Sequence, residues 1–181
     1  MTKHTVGARL YTRAIAIITL AVACALLTAA RANAQATPLA PPPQVPYGTP
    51  ISLEDAKKVA AAATVEGNRI STPMTIAVVD SAGFLVYFER MANSQLASVQ
   101  IAQDKARSAV LYRRSTKLFQ DALATGAENW RILTLADALP SDGGMPIVVD
   151  GRIIGAVGVS GGTSNQDGQV AAAAAKALGS R

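Results

Sequence analysis

Ser141 to Gly162 reads SDGGMPIVVDGRIIGAVGVSGG. Two apolar runs flank Asp150-Gly151, and a glycine pair closes each outer end, Gly143-Gly144 and Gly161-Gly162. Asp-Gly between β-rich runs is the strongest short-range hairpin signal, because the tight turn needs positive φ at both positions. The glycine pairs let backbone come close to a ligand or to another element. The stretch predicts a hairpin in the core of the fold, with two backbone surfaces where a small molecule could sit.

The segments on either side complete an α+β pattern. Met74 to Val79 (MTIAVV) is apolar on both faces and reads as an interior strand. Asp80 to Gly83 is a turn, and Phe84 to Arg90 (FLVYFER) returns as a second strand. Before this pair, Ser52 with Asp55 opens a helix whose buried face is Leu53, Ala56, Ala60 and Ala63, with Gly67 as its stop. After it, Leu96 to Tyr112 reads as a helix with a stripe of Val99, Ala102, Ala106, Ala109 and Val110, whose alanines imply close packing on a sheet. Ser115 to Thr125 forms a further helical piece ended by Gly126, and Trp130 to Leu139 reads only as a short helical turn. Ser164 to Leu178 is the last helix, with Ser164 at the N-cap, Asp167 at N3 and Gly179 at the stop. The expected architecture is an antiparallel sheet covered by helices.

The ends carry a different message. Lys3, Arg9 and Arg13 precede the uncharged apolar run Ala14 to Ala30, and Ala32-Asn33-Ala34 follows. That order predicts a secretory signal peptide over 1–34, cleaved after Ala34, with no membrane span thereafter and a periplasmic or extracellular product. Residues 35–50 (QATPLAPPPQVPYGTP) hold six prolines and read as an extended linker. Residues 51–181 are left as the domain.

Cleavage after Ala34 removes four of the 17 basic residues and none of the 12 acidic ones, which leaves 13 against 12. The basic balance of the whole chain therefore belongs to the export signal and gives no case for a nucleic-acid partner. The same cut removes His4 and Cys24, the single histidine and single cysteine. A Ser-His-Asp triad, thiolate or imidazole metal sites and disulfides are excluded from the mature chain.

Four places could carry chemistry. Gly161-Gly162-Thr163-Ser164 opens a helix whose free N–H groups attract anions; a tight strand-to-helix turn is the structural alternative. Arg90-Met91 ends the second strand, where Arg90 could pair an acidic ligand group or simply stay solvated. Lys105 and Arg107 lie about 200° apart on their helix, so at most one borders the buried stripe, and Arg107 can pair Asp104. Met145, between Gly144 and Pro146, offers a thioether to a flat apolar ligand or a metal, or fills core.

Three segments in this order and spacing, MTIAVVDSAGFLVYFERM, SVQIAQDKARSAV and GGMPIVVDGRIIGAVGVSGG, resemble the GlcG/HbpS haem-binding family over about Ile51 to Gly179. The resemblance extends to the C-terminal part of some corrinoid adenosyltransferases. It implies a profilin-like fold, assembly as a homo-oligomer, and haem as the bound cofactor, with scavenging, storage or slow haem degradation as the role. Carried over by motif, the implied pocket is lined by Arg90, Met91, Lys105, Gly143, Gly144, Met145 and Pro146. The glycines would admit the ligand, and Arg90 or Lys105 would face its carboxylates. Any iron ligand would have to be Met, Tyr, Lys or a hydroxyl. The other reading is an enzyme or binding protein for a small carboxylate such as a 2-hydroxy acid, for which no strong general base is evident.

Overall fold

The computed structural model describes residues 45–179. Residues 1–34, expected to be a signal peptide, residues 35–44 of the expected linker and residues 180–181 lie outside the described residues. Helix α1 spans Leu53–Arg69, strands β1 and β2 span Thr75–Asp80 and Leu85–Arg90, and helix α2 spans Ser98–Leu111. Helix α3 (Lys117–Thr125) runs into a 3-10 helix (Ala127–Thr134), and β3 (Gly144–Val149), β4 (Arg152–Ser160) and α4 (Ser164–Ala175) close the domain. The order β2-β1-β4-β3 is antiparallel throughout. Among the described residues no helix is long and apolar enough to cross a membrane.

The two-faced apolar pattern of β1 has the consequence expected of a central strand. Ile76 and Val78 join one core with Val157 and Val159 of β4, beneath α1 and α4. Ala77 and Val79 join the other with Ala156, beneath Ala102, Ala106 and Ala109 of α2. The alanine stripe read from the sequence is thus the packing face of α2, and small side chains bring its backbone close to the sheet. Asp150 and Gly151 both have positive φ, 48° and 69°, which is the turn their sequence called for.

Several boundaries differ from the sequence reading. Leu53, expected on the buried face of α1, stands exposed at its first turn. The helix runs two residues past Gly67, which instead lies buried against Met74. The N-cap of α4 is Thr163, not Ser164: Thr163 and Gln166 form the reciprocal capping box, which frees Asp167 for other work. The Trp130 to Leu139 stretch is helical only as far as Thr134, the end of the 3-10 helix, whose three-residue period turns Asn129 and Ile132 inward and Trp130 and Leu133 out.

Val45 to Pro50, assigned from composition to the linker, are bonded to the domain. β4 begins earlier than the pairing with β1, leaving Ile153 with open backbone groups on that edge. Pro46 accepts from the Ile153 N–H at 2.9 Å, and the Gly48 N–H donates to the Ile153 carbonyl at 2.8 Å. The Tyr47 hydroxyl then donates to the Val110 carbonyl at 2.9 Å. Proline lacks a donor but keeps its carbonyl, so a proline-rich segment can still satisfy an edge N–H.

Candidate functional site: a buried ionic junction and an edge cleft

Three of the motifs that read as ligand-binding, Lys105, Gly143-Gly144 and Gly161-Gly162, meet at one point, and protein fills it. Lys105 projects from α2 into the interior and is 1% exposed. Its Nζ donates to Asp167 Oδ2 at 2.7 Å and to the Val159 carbonyl at 3.1 Å. Asp167 also accepts from the backbone N–H groups of Gly161 and Gly162, the latter at 2.9 Å. The helix entry expected to hold a ligand anion is therefore occupied by the chain's own carboxylate.

The same junction explains Gly143 and Gly144. A Cβ on Gly143 would stand 2.5 Å from the Val159 carbonyl and 2.9 Å from Lys105 Nζ. One on Gly144 would strike the Lys105 carbonyl and the Thr116 methyl. Gly144 admits the α2 backbone, and Gly143 the Lys105 ammonium and the Val159 carbonyl. Lys105, Gly143 and Gly144 are brought together as expected, but as a core staple. Arg107, across the helix, is half-exposed and pairs loosely with Asp137 at 3.5 Å, not with Asp104.

Asp142 stands beside this staple, 6% exposed, with the Gly143 N–H donating to its Oδ1 at 2.7 Å. Desolvation pushes its carboxyl above the usual value, against that hydrogen bond and the attraction of Lys117 and Lys105. Desolvation raises Asp167 likewise, opposed chiefly by Lys105. A carboxyl whose folded pKa lies above its unfolded one contributes stability that is complete below the unfolded value and is lost as pH rises through the folded one. Asp142→Asn is accordingly expected to raise the melting temperature at neutral pH. The gain should shrink to nothing as pH falls below about 4, where the wild-type carboxyl is itself protonated. Thermal melts of both proteins at the two pH values check this.

The remaining expected residues separate. Arg90 and Met91 end β2, while Met145 and Pro146 begin β3 at the opposite edge, three strand spacings or about 14 Å away. Arg90 is exposed. Met91 accepts a hydrogen bond at sulfur from the Met74 N–H at 3.2 Å and lines a cavity of about 420 Å³ with Asn68, Thr72 and Pro73. One ligand in one subunit does not reach both pairs.

Met145 and Pro146 line the larger concavity, an open cleft of about 640 Å³ between β3, its turn and the C-terminal half of α4. Its volume lies within the roughly 300–1,000 Å³ of small-molecule sites. Its walls are mainly apolar, from Pro146, Val148, Ala172 and Ala175. Lys176 is the cation on its lining, Asp150 the anion and Met145 the soft donor. Lys176 follows a run of five alanines and escaped the sequence reading; a lone cation ending an alanine helix was its available signal.

An antiparallel sheet of this order, held to its helices through glycine motifs and a buried lysine, defines a domain of the GlcG/HbpS type. The chain belongs to the HbpS-like family: that family's model, described as haem degrading protein HbpS-like, matches residues 51–176. The chain is 41% identical over 110 residues to Protein GlcG of Escherichia coli K12, covering 61% of this chain and 81% of GlcG. Among solved structures, a double mutant of HbpS from Streptomyces reticuli superposes with a TM-score of 0.67 at 28% identity, covering 80% of this chain and 99% of that one. The PduOC–haem complex superposes at 0.66 with 27% identity, covering 72% and 96%.

Proposed function

We propose that this protein is an exported haem-binding protein that holds the tetrapyrrole in the cleft between β3 and α4. The observation that carries the reading is the cleft itself: an apolar concavity of about 640 Å³ with Met145 in its wall and Lys176 on its lining, in a chain of the HbpS-like family. Haem is a flat apolar disc with two carboxylates, and this lining offers an apolar surface, one ammonium and one thioether. Haem, when bound, supplies an iron centre for redox or oxygen chemistry. The chain's own part is to shield one face, pair a propionate at Lys176 and present the Met145 sulfur. Scavenging, storage and slow degradation all fit such capture.

Export rests on the basic start, the apolar run and the Ala32-Asn33-Ala34 cleavage pattern. The product is expected in the periplasm or medium as a chain beginning at Gln35, read by cell fractionation and intact mass. A homo-oligomer is part of the same proposal, supported by the exposed Phe84 and Leu85 beside edge strand β2. The small-carboxylate reading is left with Lys176 alone, since Lys105 is committed to Asp167 and Arg90 stands apart from the cleft, and the apolar walls give a small polar acid little to pack on.

The test is a hemin titration of the chain from Gln35 onward, beside an unrelated protein. A saturable Soret shift at a fixed stoichiometry per subunit is expected. A shift no larger than the control's would end the haem reading.

A further inference from the structure

We infer that the cleft recognises a porphyrin's macrocycle and carboxylate rather than its iron, so that it holds metal-free and redox-inert porphyrin dicarboxylates about as well as haem. The inference rests on the haem-binding reading above and goes beyond it by naming the ligand class as porphyrin dicarboxylates, iron not required.

Residues 45–179 contain no histidine and no cysteine, the side chains that usually give iron a strong protein bond. Among the residues lining the cleft the sole soft donor is Met145. Its side chain is half-buried and packed against the core that includes Ile147 and Ala171, so part of its surface already serves the fold. A neutral thioether is a weak ligand for ferric iron, which prefers harder or anionic donors. Met145 therefore gives iron little hold, and the one anionic donor on the lining, Asp150, stands exposed to water on the turn.

The apolar lining has the opposite character. Pro146 and Val148 at the β3 edge and Ala172 and Ala175 from α4 line it, and none of these side chains carries a polar atom. Alanines leave the helix surface flat, which suits a planar ring whether or not a metal occupies its centre. The charged element is Lys176, which forms no ion pair among the described residues and so is available to a ligand carboxylate. Asp150, on the turn, disfavours a carboxylate at its own end, which orients a dicarboxylate toward Lys176.

The test compares four ligands on the chain from Gln35: hemin, zinc protoporphyrin, metal-free protoporphyrin IX and its dimethyl ester. Hemin is followed at the Soret band, the others by fluorescence polarisation, and metal-free porphyrin is also titrated against bound hemin. Metal-free and zinc forms are expected to bind within about ten-fold of hemin and to displace it. The dimethyl ester is expected to bind about five- to ten-fold more weakly, and Lys176→Gln to weaken the acids by a similar factor while leaving the ester unchanged. Hemin binding with metal-free porphyrin about a hundred-fold weaker or worse would overturn this inference and leave the haem reading standing. Acid and ester binding alike, with Lys176→Gln silent, would overturn the carboxylate half. Failure of all four ligands would remove the haem reading and this inference together.

Discussion

Lys105→Met is expected to destabilise the domain by about 3–5 kcal/mol at neutral pH, the usual cost of leaving one partner of a buried ion pair alone. Both side chains are almost wholly buried, 1% and 5% exposed, so solvent screening does not soften the loss. Asp167 would keep its bonds from Gly161 and Gly162 but lose the ammonium that offsets its desolvation. An orphaned buried carboxylate escapes part of its penalty by taking a proton, so the destabilisation should shrink as pH falls. The double variant Lys105→Met with Asp167→Asn removes both charges and keeps an oxygen for the Gly162 N–H. It is expected to recover at least about 1 kcal/mol of the loss, because neutral replacement of a buried pair is often tolerated. Urea unfolding of the two variants and the wild type measures this. If the single variant were as stable as wild type, the staple would not hold α2 and α4 to the sheet.

Gly158→Val should be the most damaging change on the sheet. A Cβ there would overlap the Ala102 carbonyl and lie 2.5 Å from the Ala106 amide nitrogen, and both are helix backbone that cannot rotate away. Overpacking of a core costs about 1–3 kcal/mol when side chains can shift, and more when they cannot. The expected outcome is a loss above about 4 kcal/mol or failure to accumulate folded protein. Gly151→Ala supplies the contrast. Nothing lies within 4 Å of its new carbon, and only the positive φ of 69° opposes it, so the loss should stay near 1 kcal/mol. Similar losses in the two variants, read by chemical denaturation, would contradict the packing described for α2.

The hairpin, the central strand β1 and the alanine face of α2 were legible because each is a local pattern: a turn dipeptide, a two-sided apolar run, a helical period. What escaped was set by elements far apart in the chain. Lys105 falls on the stripe three residues after Ala102 and four before Ala109. Its place on a buried face was therefore readable, yet its partner lies 62 residues on. Asp167 sits where a helix-capping acid belongs, and the actual cap of Thr163 with Gln166 leaves it to the lysine. Glycine pairs signal close approach but do not say of what; here it is Lys105 of α2 at Gly143 and Gly144, and the Pro73 carbonyl at Gly161. The cleft was half legible. Met145 and Pro146 were named, whereas Ala172, Ala175 and Lys176 join them only because α4 folds back beside β3. Arg90 and Met91 were drawn in by motif and stand at the far edge of the sheet.

A haem held between β3 and α4 must be displaced when that cleft is filled. Ala172 lines that cleft and is half-buried, so Ala172→Trp fills the space from the helix side without entering the main core. Hemin affinity of this variant is measured by Soret titration beside the wild type, with melting temperatures of both. A loss of about ten-fold or more in a protein that melts like wild type is the predicted result. Equal affinity in a folded variant would place the haem elsewhere.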